Sequence, residues 1–256
     1  MPALEDDLKL IAEAAEAAGE IAMSFHGKPV EVREKGGGAG PVTEADLAVD
    51  AMLRETLIGA RPDYGWLSEE SDDDPARLGA ERVFIVDPID GTRSFIAGER
   101  SFAVSVGLAE RGSMIAGAVR MPARKTTYAA AKGMGAQRNG SAITVRPGAQ
   151  PVTILAARPN FHDTNWPGGL PRHEQHFRPS LAYRMCLVAE ARFDVMLTFR
   201  DTWEWDVAAG SLIVAEAGGA VSGGRGEPIG FNTPQACLPG LVAAHPETHA
   251  ALIALR

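Results

Sequence analysis

A set of carboxylates, Asp46, Glu70, Asp87, Asp90 and Asp206, stands where side chains could meet in one cleft. The tightest grouping is Asp87-Pro-Ile-Asp-Gly-Thr92, directly after the apolar run Val83 to Val86. Two acids three residues apart, at the mouth of a buried strand, offer oxygen ligands to a hard cation such as Mg²⁺. Gly91 comes next, where backbone can approach an anion with no Cβ in the way. Oxygen ligands beside free N–H groups point to phosphate chemistry. Two ions about 3.5–4 Å apart can activate a water and stabilise the leaving oxygen. In such a site Asp87 would bridge the ions, with Asp90 and Asp206 on one side and Glu70 on the other. Asp46 has a plainer reading as well, because Thr43-Glu-Ala-Asp46 has the spacing of a helix capping box.

The spacing also excludes chemistries. Haloacid-dehalogenase-type phosphatases use D-x-D-G-T, with the first Asp as covalent nucleophile. Two residues before Asp90 this chain has Pro88, and D-x-x-D-G-T suits metal-activated water instead. Lys35-Gly-Gly-Gly-Ala-Gly-Pro41 is a mobile-looking loop, but it lacks the Gly-Lys-Ser/Thr ending of a P-loop. Asp72-Asp-Asp-Pro75 lacks the alternating ligands of an EF-hand. His173-Glu-Gln-His176 is not HExxH. Gly133 to Arg138 leads into an Asn139-Gly140 turn rather than a dinucleotide-binding helix.

The elements that must position these acids are legible from periodicity. Leu8, Ile11, Ala15, Ala18, Ala22 and Phe25 mark one face of a first helix, and a second opens at Thr43. Strands are expected at Val83 to Val86, with a turn through Pro88, and at Phe102 to Leu108. Further strands fall at Met114 to Arg120, Thr126 to Ala131, Ala142 to Val145, Val152 to Ala156, Phe193 to Phe199 and Leu241 to Ala244. Helices are expected at Ser180 to Ala191, Val207 to Ala217 and Glu247 to Leu255. Strands clustered mid-chain between helices indicate an α+β fold. A Pro- and Gly-rich break near Pro147 to Pro151 divides the chain into 1–148, with most of the acids, and 149–256, with Asp206. The stretch 158–179 is read as an irregular substrate loop.

Composition sets the outer bounds. The chain has 256 residues, 45% hydrophobic and 23% charged, and a net charge of -8. That balance speaks against nucleic-acid or membrane-surface partners, but not against a small anionic substrate held through cations. Two distant cysteines, in no CxxC pattern, argue against a disulfide framework and suggest a cytoplasmic setting. The acidic start, Met1-Pro-Ala-Leu-Glu-Asp-Asp, predicts no secretory leader.

Asp87-Pro-Ile-Asp-Gly-Thr92, Trp205-Asp-Val-Ala-Ala-Gly210 and Glu216-Ala-Gly-Gly219, with Val42-Thr-Glu-Ala-Asp46 and Leu67-Ser-Glu-Glu-Ser71 upstream, resemble the inositol monophosphatase superfamily. The resemblance implies a layered αβαβα sandwich of the inositol monophosphatase / fructose-1,6-bisphosphatase type. It implies Mg²⁺-dependent, lithium-sensitive hydrolysis of a phosphomonoester, with two or three ions per site. By motif, Glu70, Asp87 and the Ile89 carbonyl would hold one ion, and Asp87, Asp90 and Asp206 a second. Glu70 and Thr92 would orient the water, Asp46 would polarise Thr92, and the Gly91 and Thr92 N–H groups would receive phosphate. The Gly36 to Gly40 loop resembles the segment that closes over the metals. Relatives of this kind occur as monomers and homodimers.

Glu204-Trp-Asp-Val-Ala-Ala-Gly210 is most similar to bacterial 3'(2'),5'-bisphosphate nucleotidases, which convert 3'-phosphoadenosine 5'-phosphate to AMP. Asp90-Gly-Thr-Arg-Ser-Phe-Ile96 leans toward histidinol phosphatases. Inositol-1-monophosphatase is the first alternative, although Phe199 stands where those enzymes place an acid. For a bisphosphate, Arg158, Arg172 and Arg178 are the expected contacts to the second phosphate, and Trp166 or Trp203 to the base. A non-catalytic metal- or phosphate-binding regulator would bind the same ligands without turnover.

Overall fold

The computed structural model describes residues 3–36 and 40–256. Residues 1–2, and 37–39 of the loop expected to close over the metals, lie outside the described residues. Helix α1 (Leu4–Phe25) buries Ile11, Ala14, Ala15, Ala18 and Ala22, the face marked by its periodicity. A short antiparallel hairpin, β1 (Val32–Glu34) and β2 (Pro41–Thr43), leads into α2 (Glu44–Ala60). Thr43 and Asp46 close the capping box at its start.

A seven-stranded sheet follows, built of β3 (Gly65–Ser68), β4 (Arg82–Asp90), β5 (Ala103–Glu110), β6 (Ser113–Met121), β7 (Thr126–Ala131), β8 (Ala136–Arg138) and β9 (Ser141–Ile143), in that spatial order. β3 runs parallel to β4, and all later pairings are antiparallel. The five-residue helix α3 (Thr92–Ile96) interrupts the path from β4 to β5.

The second half adds β10 (Val152–Leu155), β11 (His173–His176), α4 (Leu181–Ala189), β12 (Val195–Thr198), β13 (Thr202–Trp203), α5 (Glu204–Glu216), β14 (Ala220–Ser222), β15 (Cys237–Leu238), β16 (Leu241–Ala244) and α6 (Pro246–Ile253). Its sheet has the order β11-β10-β12-β16-β14, and β13 pairs with β15 apart from it. The stretch read as wholly irregular thus contains an edge strand, β11, parallel to β10.

Helices α1 and α2 cover one face of the large sheet; α4 and α5 fill the space between the two sheets; α6 lies on the outer face of the smaller one. That is the αβαβα order the resemblance implies. One core sits between α1, α2 and the large sheet, and a second surrounds α4 and α5. Strands of the large sheet end at Ile143 and those of the small sheet begin at Val152. Among the described residues no helix is long and apolar enough to cross a membrane.

Candidate active site

Strand β4 carries the two central acids, and its geometry explains their odd spacing. Successive residues of a regular strand face opposite sides, so positions 87 and 90 would point apart. Asp87 pairs with Ser105 and Asp90 with Ala103, so Pro88 and Ile89 together oppose one residue of β5. This β-bulge turns Asp90 to the side that Asp87 already faces. Ile89 joins Phe84 and Val86 in the core under α1 and α2. Where the sequence reading ends the strand and turns the chain at Pro88, the strand runs on to Asp90. Proline lacks an N–H, and a bulge is the place in a central strand that tolerates this.

Gly91 then adopts φ 101°, and a Cβ there would stand 3.1 Å from the Ser101 carbonyl oxygen. Both facts require glycine. Thr92 follows at the start of α3 and donates its hydroxyl toward Asp46 Oδ1 at 3.3 Å and the Ile89 carbonyl at 3.1 Å. Asp46 accepts from the Thr43 N–H through its other oxygen at 2.9 Å. The capping role and the contact to Thr92 therefore coexist in one side chain.

Asp206 arrives from α5, whose small residues let it lie close to its neighbours. A Cβ on Gly117 would come within 3.0 Å of Ala209 Cα, and one on Gly107 within 3.3 Å of Ala208 Cβ. On the other side, Gly210 leaves room for Met185 of α4 at 2.9 Å from its own missing Cβ. The Val-Ala-Ala-Gly string after Asp206 is thus a packing requirement. Helix α4 is tied to the acids as well: Ser180 Oγ donates to Asp90 Oδ2 at 2.6 Å, and the Ala182 N–H donates to the same oxygen at 2.7 Å. The Ser180 oxygen also caps α4 by accepting from Tyr183.

One carboxylate oxygen each from Asp87, Asp90 and Asp206 lie within 4.8 Å of one another. Burial raises all three above the usual carboxylate range, and mutual repulsion raises Asp87 and Asp206 further. Asp90 is pushed up to about 6, restrained by its bonds to Ser180 and Ala182. Asp87 Oδ1 is buried and has no hydrogen-bond partner among the described residues. Three converging acceptor-only groups, one with an orphaned oxygen, fit a hard divalent cation.

The two upstream glutamates take different places. Glu69, not Glu70, lines the cleft with Asp87, Asp90, Gly91, Thr92 and Asp206. After burial, Glu69 is also the largest influence raising Asp87. Glu70 turns inward with its side chain 3% exposed, and burial pushes it up to about 7 against the pull of Lys35. Lys35 Nζ joins the pair, 2.7 Å from an oxygen of each. Adjacent identical residues on alternating sides cannot be told apart by type; the direction of β3 decides.

The arginines expected to meet substrate, Arg158, Arg172 and Arg178, are not among the residues lining this cleft of about 670 Å³. Arg158 and Arg172 are exposed. The Arg178 guanidinium donates to the Phe177 carbonyl and lies 5.8 Å from the Phe193 ring centroid, and the Arg178 carbonyl accepts from Arg184 Nε. The guanidinium-bearing residues that do line the cleft are Arg93, Arg184 and Arg200. Arg184 could have been found from its place one turn beyond Ser180, the cap of a helix aimed at Asp90. Of the two candidate aromatics, Trp166 is buried with its indole N–H on the Asn160 carbonyl. Trp203 lines the cleft, 46% exposed and stacked on Trp205 with ring centroids 5.0 Å apart. Phe177, 53% exposed, lines it too, with the Arg184 guanidinium 4.5 Å from its ring centroid.

The profile of the inositol monophosphatase family matches residues 3–256. The 3'(2'),5'-bisphosphate nucleotidase CysQ of Escherichia coli (strain K12) is 31% identical, over 91% of this chain and 97% of its own length. The histidinol-phosphatase of Chlorobaculum parvum is 34% identical over 86% of each chain. The inositol-1-monophosphatase of Rhizobium meliloti is 35% identical over 75% of this chain and 76% of its own. Among solved structures, the extragenic suppressor protein suhB of Bartonella henselae superposes with a TM-score of 0.85 at 26% identity, covering 98% of both chains.

Proposed function

The chain belongs to the inositol monophosphatase family and is a phosphoric monoester hydrolase; from that premise we propose that it is a 3'(2'),5'-bisphosphate nucleotidase acting with Mg²⁺. The observation that carries this reading is the cleft rim. Exposed Phe177 and Trp203 offer flat apolar faces for a base, and Arg184 and Arg200 stand beside the acids for a second phosphate. Phe199, at the position where an acid would bind an inositol hydroxyl, packs against Trp166 and Arg256 instead.

In this reading Asp87, Asp90, Asp206 and Glu69, with the Ile89 carbonyl, would hold the ions. Bound Mg²⁺ supplies Lewis acidity that makes water more acidic and offsets the charge on the transferring phosphoryl group. The chain's own part is orientation. Asp46 and the Ile89 carbonyl engage the Thr92 hydroxyl hydrogen, so the Thr92 oxygen presents lone pairs to the water. Glu69 takes the water's proton as its oxygen bonds to phosphorus. The ester P–O bond breaks, and the alcohol leaves with a proton from solvent. The Gly91 and Thr92 N–H groups hold the phosphate oxygens throughout.

Parallel turnover of 3'-phosphoadenosine 5'-phosphate, inositol 1-phosphate and histidinol phosphate with Mg²⁺ tests the substrate. The bisphosphate should lead in kcat/KM, and Arg200→Gln should raise its KM by about tenfold or more while sparing a simple monoester. A lead for inositol 1-phosphate or histidinol phosphate overturns the assignment.

A further inference from the structure

Away from the catalytic cleft, and sharing no lining residue with it, a cavity of about 170 Å³ opens between β6, β7, β8 and the start of α4. Arg100, Arg124, Arg138 and Arg192 line it, together with Tyr128 and Tyr183. We infer that this cavity is a second anion site, taking a tetrahedral oxyanion such as inorganic phosphate or sulfate.

Charge is the first argument. Four guanidinium groups around one small cavity repel each other, and the only carboxylate in ion-pair range among the described residues is Glu190. It stands 3.2 Å from Arg138 and 3.7 Å from Arg192. Arg100 and Arg124 have no acidic partner among the described residues, which leaves an excess of positive charge that a multiply charged anion would neutralise.

Preorganisation is the second. Arg100 donates through Nε and Nη2 to the Ala123 carbonyl at 2.9 and 2.7 Å. Arg124 donates through Nε to the Arg100 carbonyl at 3.1 Å and lies 5.1 Å from the Tyr183 ring centroid. These tethers fix both groups before any ligand arrives, so little side-chain freedom is left to lose on binding. The two tyrosines, 2% and 3% exposed, form the inner wall. Burial and the neighbouring Cys186 and Glu190, toward which its hydroxyl donates, keep Tyr128 uncharged, so it adds no negative charge to the wall.

Size is the third. One water occupies about 30 Å³ of liquid, so the cavity admits an oxyanion with a few bridging waters but not a nucleoside. Planar guanidinium forks suit tetrahedral oxyanions through paired N–H bonds.

Calorimetric titration of the EDTA-treated protein with inorganic phosphate and, in parallel, sulfate tests the proposal; the tighter of the two identifies the anion. Arg124→Gln/Arg138→Gln should weaken binding by about tenfold or more, while Arg93→Gln/Arg200→Gln in the catalytic cleft should leave it unchanged. Mg²⁺-dependent phosphatase activity of the first variant certifies that it folds. If that variant fails to fold, native crystals soaked in selenate should show an anomalous peak between Arg124 and Arg138. Binding lost only with the cleft variant, no binding of either anion, or a selenate peak confined to the cleft would each overturn the site.

Discussion

Lys35 sits between two adjacent glutamates, and that contact divides their work. Glu69 lines the cleft, whereas Glu70 is more deeply buried and meets the same Lys35, which would leave Glu70 a supporting part. Glu69→Gln is expected to lower kcat/KM by more than about 100-fold and Glu70→Gln by about tenfold, because a supporting partner costs less than a direct ligand. Steady-state kinetics at saturating Mg²⁺ would show it, and the opposite ranking would return the direct role to Glu70. The three clustered aspartates carry a cost of another kind. Their burial opposes ionisation, so Asp206→Asn should abolish turnover yet raise the melting temperature of the metal-free protein, as sites built for function often trade stability. A lower melting temperature for the metal-free variant would contradict this.

At the scale of elements, α5 is the part on which the site's geometry turns. Gly117 and Ala209 are so close that Gly117→Ala must push the helix outward, costing about 1–3 kcal/mol. Because Asp206 opens the same helix, kcat/KM should fall as well, at any Mg²⁺ concentration; urea unfolding and kinetics on one preparation would link the two effects. Much of this architecture could be read from the chain. The apolar face of α1, the capping box of α2 and the run Val83 to Val86 all appear where periodicity puts them. What escaped has physical causes. Pro88 reads as a turn because its ring normally ends a ladder, and only the paired strand reveals a bulge. β11 escaped because its residues, His173 to His176, are polar and partly exposed, and its order comes from backbone pairing with β10. The arginines were sought in the least structured stretch, whereas Arg93 and Arg184 sit on helices and Arg200 lies just past β12.

For the whole molecule, the gathered acids make stability depend on pH and on cations together. Their folded-state values are raised, Asp90 to about 6 and Asp87 and Asp206 well above the ordinary range. The folded chain therefore binds more protons than the unfolded one across that window, and metal-free stability falls as pH rises through it. A divalent cation held by these acids would replace those protons and bind only the folded form. Mg²⁺ at about 100 times its dissociation constant should raise the melting temperature by about 5–10 °C at pH 8. The gain should shrink toward pH 5.5, where protons compete for the same oxygens. A gain that grew on acidification would mean the cation binds elsewhere. Neither half of the chain holds the acid cluster alone, since Asp87 and Asp90 come from the large sheet and Asp206 from the helix layer beyond it.

The bulge at Pro88 and Ile89 works as a parity correction. Counting along a strand, odd separations land on opposite sides and even ones on the same side; Asp87 and Asp90 are an odd pair made even by one surplus residue. Spacing and backbone shape are consequently a matched set. A chain with D-x-D and a straight strand would present its acids to the same side, but deleting one residue here while the bulge persists, or ironing out the bulge while the spacing persists, would send one carboxylate into the apolar layer beneath α1 and α2. Changes in length at this point are tolerable only when backbone shape changes with them.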